Sequence, residues 1–425
     1  MPRPSDPVAP EEIARLTGRI GRLLLANGAD TGHALRRIDE VSAALGHPVN
    51  RLVTAEAIVV AAGDGHALQT RVGPAIPAMA VNMGALVAVE QVVERLRAHQ
   101  IDVETAGDAL DDIDQKKHDH GAIAVVVGVA VTAASLARLF GGAWPVVIVA
   151  FVAGLSSTIL RRGFARWHWN PIAATFLTAL VSGIVAGFST RLTPGSSPVL
   201  SLTAAGMILV PGVPLLNGVR DLFEGHATVA VARFAFGTTT ILVIGFALFL
   251  AATIAGTELP VGQGPGTLPV GWDLLFSATA AAGYAMLFNV PLRAIPACIA
   301  CGMASHGLRT ALGDFGMNIA ASSLLGAAAA GIIARFAARL YRVPPVTFAF
   351  PGIVAMIPGS YGFRAGIAGL HLMTMGASAS SALVAEALSL TVITIVVTIA
   401  IGIGLALALE IPPEHHLPVL KPAKE

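Results

Sequence analysis

The chain is 425 residues long, 55% hydrophobic and only 12% charged, with a mean hydropathy of +0.73. A soluble protein of this length carries about twice that charged fraction, so the composition points to a polytopic membrane protein. A net charge of +1 argues against a nucleic-acid partner.

Residues 1–118 are polar and apolar by turns, no signal peptide is expected, and the first long apolar run begins at Gly121. "EEIARLTGRIGRLLLANGAD" has apolar residues at helical spacing and stops at Gly28. "TGHALRRIDEVSAALGH" predicts a second amphipathic helix, with Thr31 as cap and Gly46 as stop. "RLVTAEAIVVAAGDGHALQTRV" alternates and predicts a β-hairpin turning at Gly63-Asp64-Gly65. Two further helices are expected over about 83–99 and 102–117. The result is a small α+β domain over 1–118, placed in the cytoplasm. His33, His47, Asp64 and His66 match no metal or catalytic spacing, and the "HDHG" at 118–121 is expected to be a polar membrane boundary.

From Gly121 onward ten apolar segments approach the length of about 20 residues that a span requires. They centre near residues 130, 151, 180, 206, 242, 281, 301, 327, 355 and 395. The loop "GTELPVGQGPGTLPVGWD", which has no Lys or Arg, divides them five plus five. Sliding the sequence by 148 residues lays 154–192 over 302–340, with about 14 of 39 positions identical, among them Asn170 on Asn318, Arg161 on Arg309, Gly183 on Gly331 and Arg191 on Arg339. One residue of slippage later, Val210-Pro211-Gly212 falls on Ile357-Pro358-Gly359. Five spans per repeat force the second copy to enter from the opposite side. The expected fold is therefore mainly α: ten transmembrane helices as two inverted five-helix repeats, over 119–256 and 270–410, with a cytoplasmic tail over 411–425. The positive-inside rule agrees with both termini inside. Arg161, Arg162, Arg166, Arg220, Arg293, Arg335, Arg339, Arg342, Lys421 and Lys424 fall on one side, against Arg191, Arg309 and Arg364 on the other.

Proline inside a helix removes a donor and clashes one turn back, and in lipid the freed backbone groups have no water to bond. A Pro-Gly break repeated in the fourth span of each half marks the binding site of a secondary transporter. One half-helix then offers N–H groups to a carboxylate, and the other offers carbonyls to an ammonium or cation. The substrate-binding candidates are Pro211, Gly212, Asn217, Asn289, Pro358, Gly359 and Ser360. The coupling candidates are Glu386, an acid in an apolar run; His306, which can titrate near neutral pH; and Asp221. Arg220 and Asp221 are expected at the cytoplasmic mouth, where charge costs little. Asn170 and Asn318 are expected to start helices, and Cys298 and Cys301 to be small packing residues rather than a redox or zinc pair. No HExxH, GxSxG or P-loop is present, so no enzyme activity, cofactor or metal is expected.

These residues also carry a resemblance. "PGVPLLNGVRDLFEGH", followed by "LFNVPLRAIPACIACGMASHGLRTAL" and "PPVTFAFPGIVAMIPGSYGFRAG", resembles the two modules of the threonine/serine exporter (ThrE) family in their order. "LLLANGADTGHALRRIDEVSAALG" and "RVGPAIPAMAVNM" are similar to its cytoplasmic part, so the resemblance covers about residues 10–405. It implies a multi-pass exporter of L-threonine and L-serine in the plasma (bacterial inner) membrane, driven by the proton-motive force. Its partners would be a small amino acid, protons and membrane lipid, with self-association left open. Split relatives linked to dicarboxylate export keep a succinate-like substrate as the alternative, beside an uncoupled channel.

Overall fold

The computed structural model describes residues 8–63, 69–76, 81–116, 119–192, 198–257 and 268–410. The chain is mainly helical. Its front segment holds α1 (Pro10–Ala26), α2 (Thr31–Ala44), β1 (Val49–Val53), β2 (Ile58–Ala62), β3 (Gln69–Val72), α3 (Met83–Arg97) and α4 (Val103–Gln115). Helix α1 starts on Pro10 with Glu11 and Glu12 in its first turn, and buries Ile13, Leu16, Ile20, Leu23 and Leu24. Proline needs no partner at a first turn, and carboxylates there favour the helix dipole. The chain leaves α1 through Gly28 at φ +109, a backbone that glycine adopts freely.

The cap of α2 is Asp30 rather than Thr31: its Oδ1 accepts the His33 N–H at 2.9 Å, and Thr31 is the first helical residue. The expected single hairpin is an antiparallel meander in the order β1-β2-β3, with Val53 opposite Ile58 and Val59 opposite Val72. Its first turn carries neither Gly nor Pro. There the Thr54 hydroxyl oxygen accepts the N–H groups of Glu56 and Ala57. Asp64 and His66 lie outside the described residues.

The remainder is helical: α5 (Ala122–Leu139), α6 (Trp144–Arg166), α7 (Pro171–Leu192), α8 (Pro198–Met207), α9 (Gly212–Phe223), α10 (Ala227–Ala255), α11 (Val270–Leu287), α12 (Ile295–Asp314), α13 (Ile319–Tyr341), α14 (Val346–Ile353), α15 (Gly359–Met375) and α16 (Ser381–Glu410). Six of these, α5, α6, α7, α10, α13 and α16, are long and apolar enough to cross a membrane. The pair α14–α15, bent by 44°, makes a seventh if it counts as one span. This is a polytopic membrane protein. The other expected segments also fall on helices, but α8 and α9 are short pieces, α11 carries Asp273, and α12 carries His306, Arg309 and Asp314. As expected, Asn170 and Asn318 head α7 and α13: their side-chain oxygens accept N–H groups of Ile172 and Ala321, both at 2.9 Å.

The two sets of helices pack in parallel ways. Helix α6 contacts α5 and α7, as α12 contacts α11 and α13. Helix α10 lies on α7 and α9, as α16 lies on α13 and α15. Across the sets, α10 touches α15 and α16 touches α9. Gly183 brings α7 onto Ala251 of α10, and Gly331 brings α13 onto Ala408 of α16. Small residues allow such close approach where lipid gives no hydrophobic drive. Helices α5 and α11 run antiparallel: Gly128 meets Gly283, Ser135 Oγ lies 2.8 Å from Thr279 Oγ1, and the Asp119 N–H, just before α5, donates to Asn289, just after α11.

The front segment sits on the end where α9 stops and α11 stops. On the opposite end, Trp144 of α6 packs edge-on against Phe276, which stacks on Trp272 of α11. Half-exposed tryptophans at helix ends suit a membrane interface. Cys298 and Cys301 are free thiols, fully buried where α12 meets its neighbours; Sγ atoms approach Thr347 O at 3.6 Å and Ala330 O at 3.5 Å.

Candidate functional site

The chain makes the same turn at both breaks. Pro211 has φ −78 and ψ 64, and Pro358 has φ −77 and ψ 48. The following glycine N–H donates two residues back, Gly212 to Val210 O at 2.8 Å and Gly359 to Ile357 O at 2.7 Å. These are inverse γ-turns with proline at the centre, and each starts a helix whose leading N–H groups point back into the break. Pro214 removes one such donor from α9, whereas Ser360 and Tyr361 keep theirs in α15.

The breaks face each other. A Cβ on Gly212 would lie 2.4 Å from Ile357 Cδ1, and a Cβ on Gly359 would lie 2.5 Å from Val210 Cγ2. Each glycine is covered by the aliphatic residue that precedes the other break's proline. Pro211, Gly212, Pro358, Gly359 and Ser360 are thus brought together and buried or half-buried. In this conformation the space over each glycine is filled by protein.

The other candidates lie around this centre. Asn217, 2% exposed, donates Nδ2–H to Gly28 O at 2.9 Å, so the turn between α1 and α2 reaches to within two turns of the first break. Arg220 and Asp221 do not sit at an exposed mouth; they are 7% and 0% exposed. Arg220 pairs with Asp30 at 2.7 Å. Asp221 accepts the Thr31 N–H at 2.8 Å and pairs with Arg233 at 3.1 Å, while Arg233 also donates to Ala29 O. Burying one unpaired charge costs several kcal/mol, so the four residues are stable only as mutual partners. Burial works against ionisation of Asp30, but the Arg220 guanidinium, His33 with its backbone N–H, and Arg36 together outweigh it and hold the carboxyl below the ordinary aspartate range. Beside this cluster lies a cleft of about 780 Å³ lined by Arg36, Arg51, Arg220, Glu224 and His226.

Asn289 is remote from the breaks. At φ +56, it joins Nδ2 to Asn82 Oδ1 at 2.8 Å and accepts from Asp119, tying the front segment to the end of α11. His306 lies on α12 with Nδ1 2.9 Å from both carboxylate oxygens of Asp273, and Thr310 Oγ1 donates to the same carboxylate at 2.7 Å. On the same helix Ser305 donates to Gly352 O and Arg309 to Met356 O at 3.3 Å, the carbonyl end of the second break. Glu386 pairs with Arg364 at 3.2 Å. His33 bonds Glu90 at 2.6 Å, and among the described residues no three His, Cys, Asp or Glu side chains gather as metal ligands.

Asp30, Arg233 and Asp273 are not singled out in the sequence, where Arg364 is read only as a loop charge and Arg309 as a loop charge and a repeat match. His306, Arg309 and Thr310 lie at i, i+3 and i+4, a shared face that marks a buried polar contact. Asp273, 33 residues earlier, carried no local signal.

A threonine/serine exporter family model, ThrE, matches residues 15–255, and a second, described as threonine/serine exporter, ThrE, matches 273–411. The chain belongs to the threonine/serine exporter family. It is 23% identical to the threonine/serine exporter of Corynebacterium glutamicum over 88% of this chain and 80% of that protein. A protein of Mycobacterium tuberculosis named probable threonine/serine exporter is 24% identical over 85% of this chain and 70% of its own length. A protein of Escherichia coli named probable succinate transporter subunit YjjP is 27% identical, over 57% of this chain and 95% of its own. No solved structure is detectably similar. Membership in this family agrees with the helices long enough to span a bilayer, and makes the chain a membrane protein of transporter type.

Proposed function

We propose that the chain is a secondary exporter of small polar amino acids, L-threonine and L-serine, driven by proton influx across the bacterial inner membrane. It is not an enzyme. The membrane part works as two inverted five-helix repeats, 119–256 and 270–410, that form ten spans. Residues 1–118 form a cytoplasmic domain, and both termini are cytoplasmic. The observation that carries this reading is the mutual packing of the two breaks, Gly212 under Ile357 and Gly359 under Val210. Two breaks that merely kinked helices would have no reason to meet. Their meeting supports a shared site, because it sets the start of α9 beside the start of α15.

The substrate binds when the aliphatic covers part. Its carboxylate takes the N–H groups beyond Gly359, and its ammonium takes carbonyls at the ends of the preceding half-helices. Asn217 acts from the rim, toward the cytoplasm, while Asn289 braces the front segment against the end of α11. Among the coupling candidates, Asp221 and Glu386 each hold a cationic partner, whereas His306 holds an anionic one. Export of a dicarboxylate is the second reading, favoured by the similarity to the succinate transporter subunit and by Arg309 at the second break.

Counterflow in proteoliposomes tests both. Labelled threonine and serine should exchange against unlabelled threonine, and succinate should not. Exchange of succinate alone would establish the second reading, and no exchange of any of the three would end both.

A further inference from the structure

We propose that Asp273 and His306 together form the proton-binding site of the transport cycle, loaded from the face opposite the front segment. The proposal rests on the exporter reading above and deepens it by naming the acid–base pair.

The geometry fixes the chemistry. An ionised carboxylate only accepts hydrogen bonds, so the His306 nitrogen between its two oxygens, Nδ1, carries the proton. The neutral ring then leaves Nε2 as a bare acceptor. That atom is buried and has no hydrogen-bond partner among the described residues. A proton arriving from water adds to Nε2 and makes an imidazolium that Asp273 holds in place and stabilises by its charge. Loss of the same proton toward the other face restores the neutral ring, so the cycle carries one proton in and leaves the site unchanged.

Access follows from position. Asp273 is in the first turn of α11, next to Trp272, on the end away from the front segment. Linkage to the breaks follows from α12. One turn beyond His306, Arg309 donates to Met356 O, two residues before Pro358. A charge gained at Nε2 repels that guanidinium and loosens its hold on the second break.

Few other groups compete for the pair. Tyr361 of α15 lies within electrostatic range of Arg309. Arg138 of the adjoining α5 is engaged by Gly142 O and the Trp144 ring. Helix α14 and its 3-10 turn carry no charged residue, and the charges of α13, Arg335 and Arg339, lie in its last two turns, with Arg335 on Ala408 O. Asp314 is the exposed end of α12.

The test uses full-length protein in proteoliposomes with labelled threonine, serine and succinate. In His306→Gln and Asp273→Asn, an imposed pH gradient should drive no accumulation above background, while counterflow at equal pH stays within about threefold of wild type. Gradient-driven accumulation at the wild-type level in both variants would overturn the proposal. A milder variant guards against misfolding. Thr310→Val removes one donor from Asp273, leaves the carboxylate more basic, and should move the midpoint of gradient-driven transport to higher pH by about one unit. An unmoved midpoint in that variant overturns the proposal even if the other two do not fold. Wild-type protein that exchanges none of the substrates takes down the exporter reading and this proposal together; working wild type with unchanged variants takes down only the proposal.

Discussion

Ile357 closes over Gly212 at the first break, with its Cδ1 2.4 Å from where a Cβ would stand. Val210 closes over Gly359 in the same way at 2.5 Å. The two contacts differ in give. Both residues are branched at Cβ and stiff at χ1, but Ile357 meets its glycine with Cδ1, which can still swing about χ2, whereas Val210 meets its glycine with Cγ2, which cannot. Gly359→Ala is therefore expected to cost more than Gly212→Ala, within the roughly 1–3 kcal/mol of overpacking. Pairing Gly359→Ala with Val210→Ala should recover most of the loss. Thermal unfolding of purified single and double variants reads this directly; additive losses would mean that the breaks do not share one packing unit.

The Asp30–Arg220 pair should be the strongest tie between the front segment and α9. Asp30→Asn leaves a buried guanidinium short of its anion, a loss of about 3–5 kcal/mol for such pairs. Because Arg220, helped by His33 and Arg36, holds the folded carboxyl below its unfolded value, the stabilisation is complete above about pH 4 and is lost as pH falls through the lower folded value. Hydrogen exchange at Thr31 and His33 should speed up in the variant at pH 7. Protection equal to wild type would deny the tie its role.

A second acid-sensitive contact lies within the front segment. Burial pushes Glu90 up, but His33 and Arg37 outweigh it and hold the carboxyl below the ordinary glutamate range. Its contribution is present above about pH 4.3 and fades as pH falls through the lower folded value. Glu90→Gln should lose about 2–3 kcal/mol at pH 7 and much less at pH 3. An equal loss at both would point to packing instead of charge. His33→Ala should weaken the same contact while leaving counterflow intact.

Topology can be read by cysteine labelling after Cys298→Ala and Cys301→Ala. With an impermeant thiol reagent on whole cells, Trp144→Cys should react and Arg293→Cys should react only after lysis. Both positions are exposed, on opposite ends of the helices. The reverse pattern would invert the proposed orientation.

What the sequence made legible was whatever is written locally. Pro211-Gly212 and Pro358-Gly359 announce their turns because proline fixes φ and glycine starts the next helix without strain. Asn170 and Asn318 announce caps by position alone. The turn after β1 stayed hidden because a threonine hydroxyl does what Gly or Pro does elsewhere. Asp273 and Arg233 stayed hidden for a different reason. Each is one charge near a helix start, where an isolated charge reads as interfacial, and its partners are 33 and 12 residues away. The burial of Arg220 and Asp221 was misjudged on the same ground, because their anionic and amide partners come from the first 31 residues.

The distance along the chain between those partners bears on how the protein is made. Asp30 leaves the ribosome 190 residues ahead of Arg220, a gap of roughly ten to forty seconds at ordinary elongation rates. Throughout that interval the turn that will lodge beneath the first break is a finished shape without a seat, since α9 has yet to be threaded into lipid. Docking of the earliest-born part thus waits until about half of the chain has been made. A chain whose later helices insert in the wrong order leaves Asp30, Thr31 and the carbonyls of Gly28 and Ala29 uncovered, a visible flaw that quality-control proteases can read.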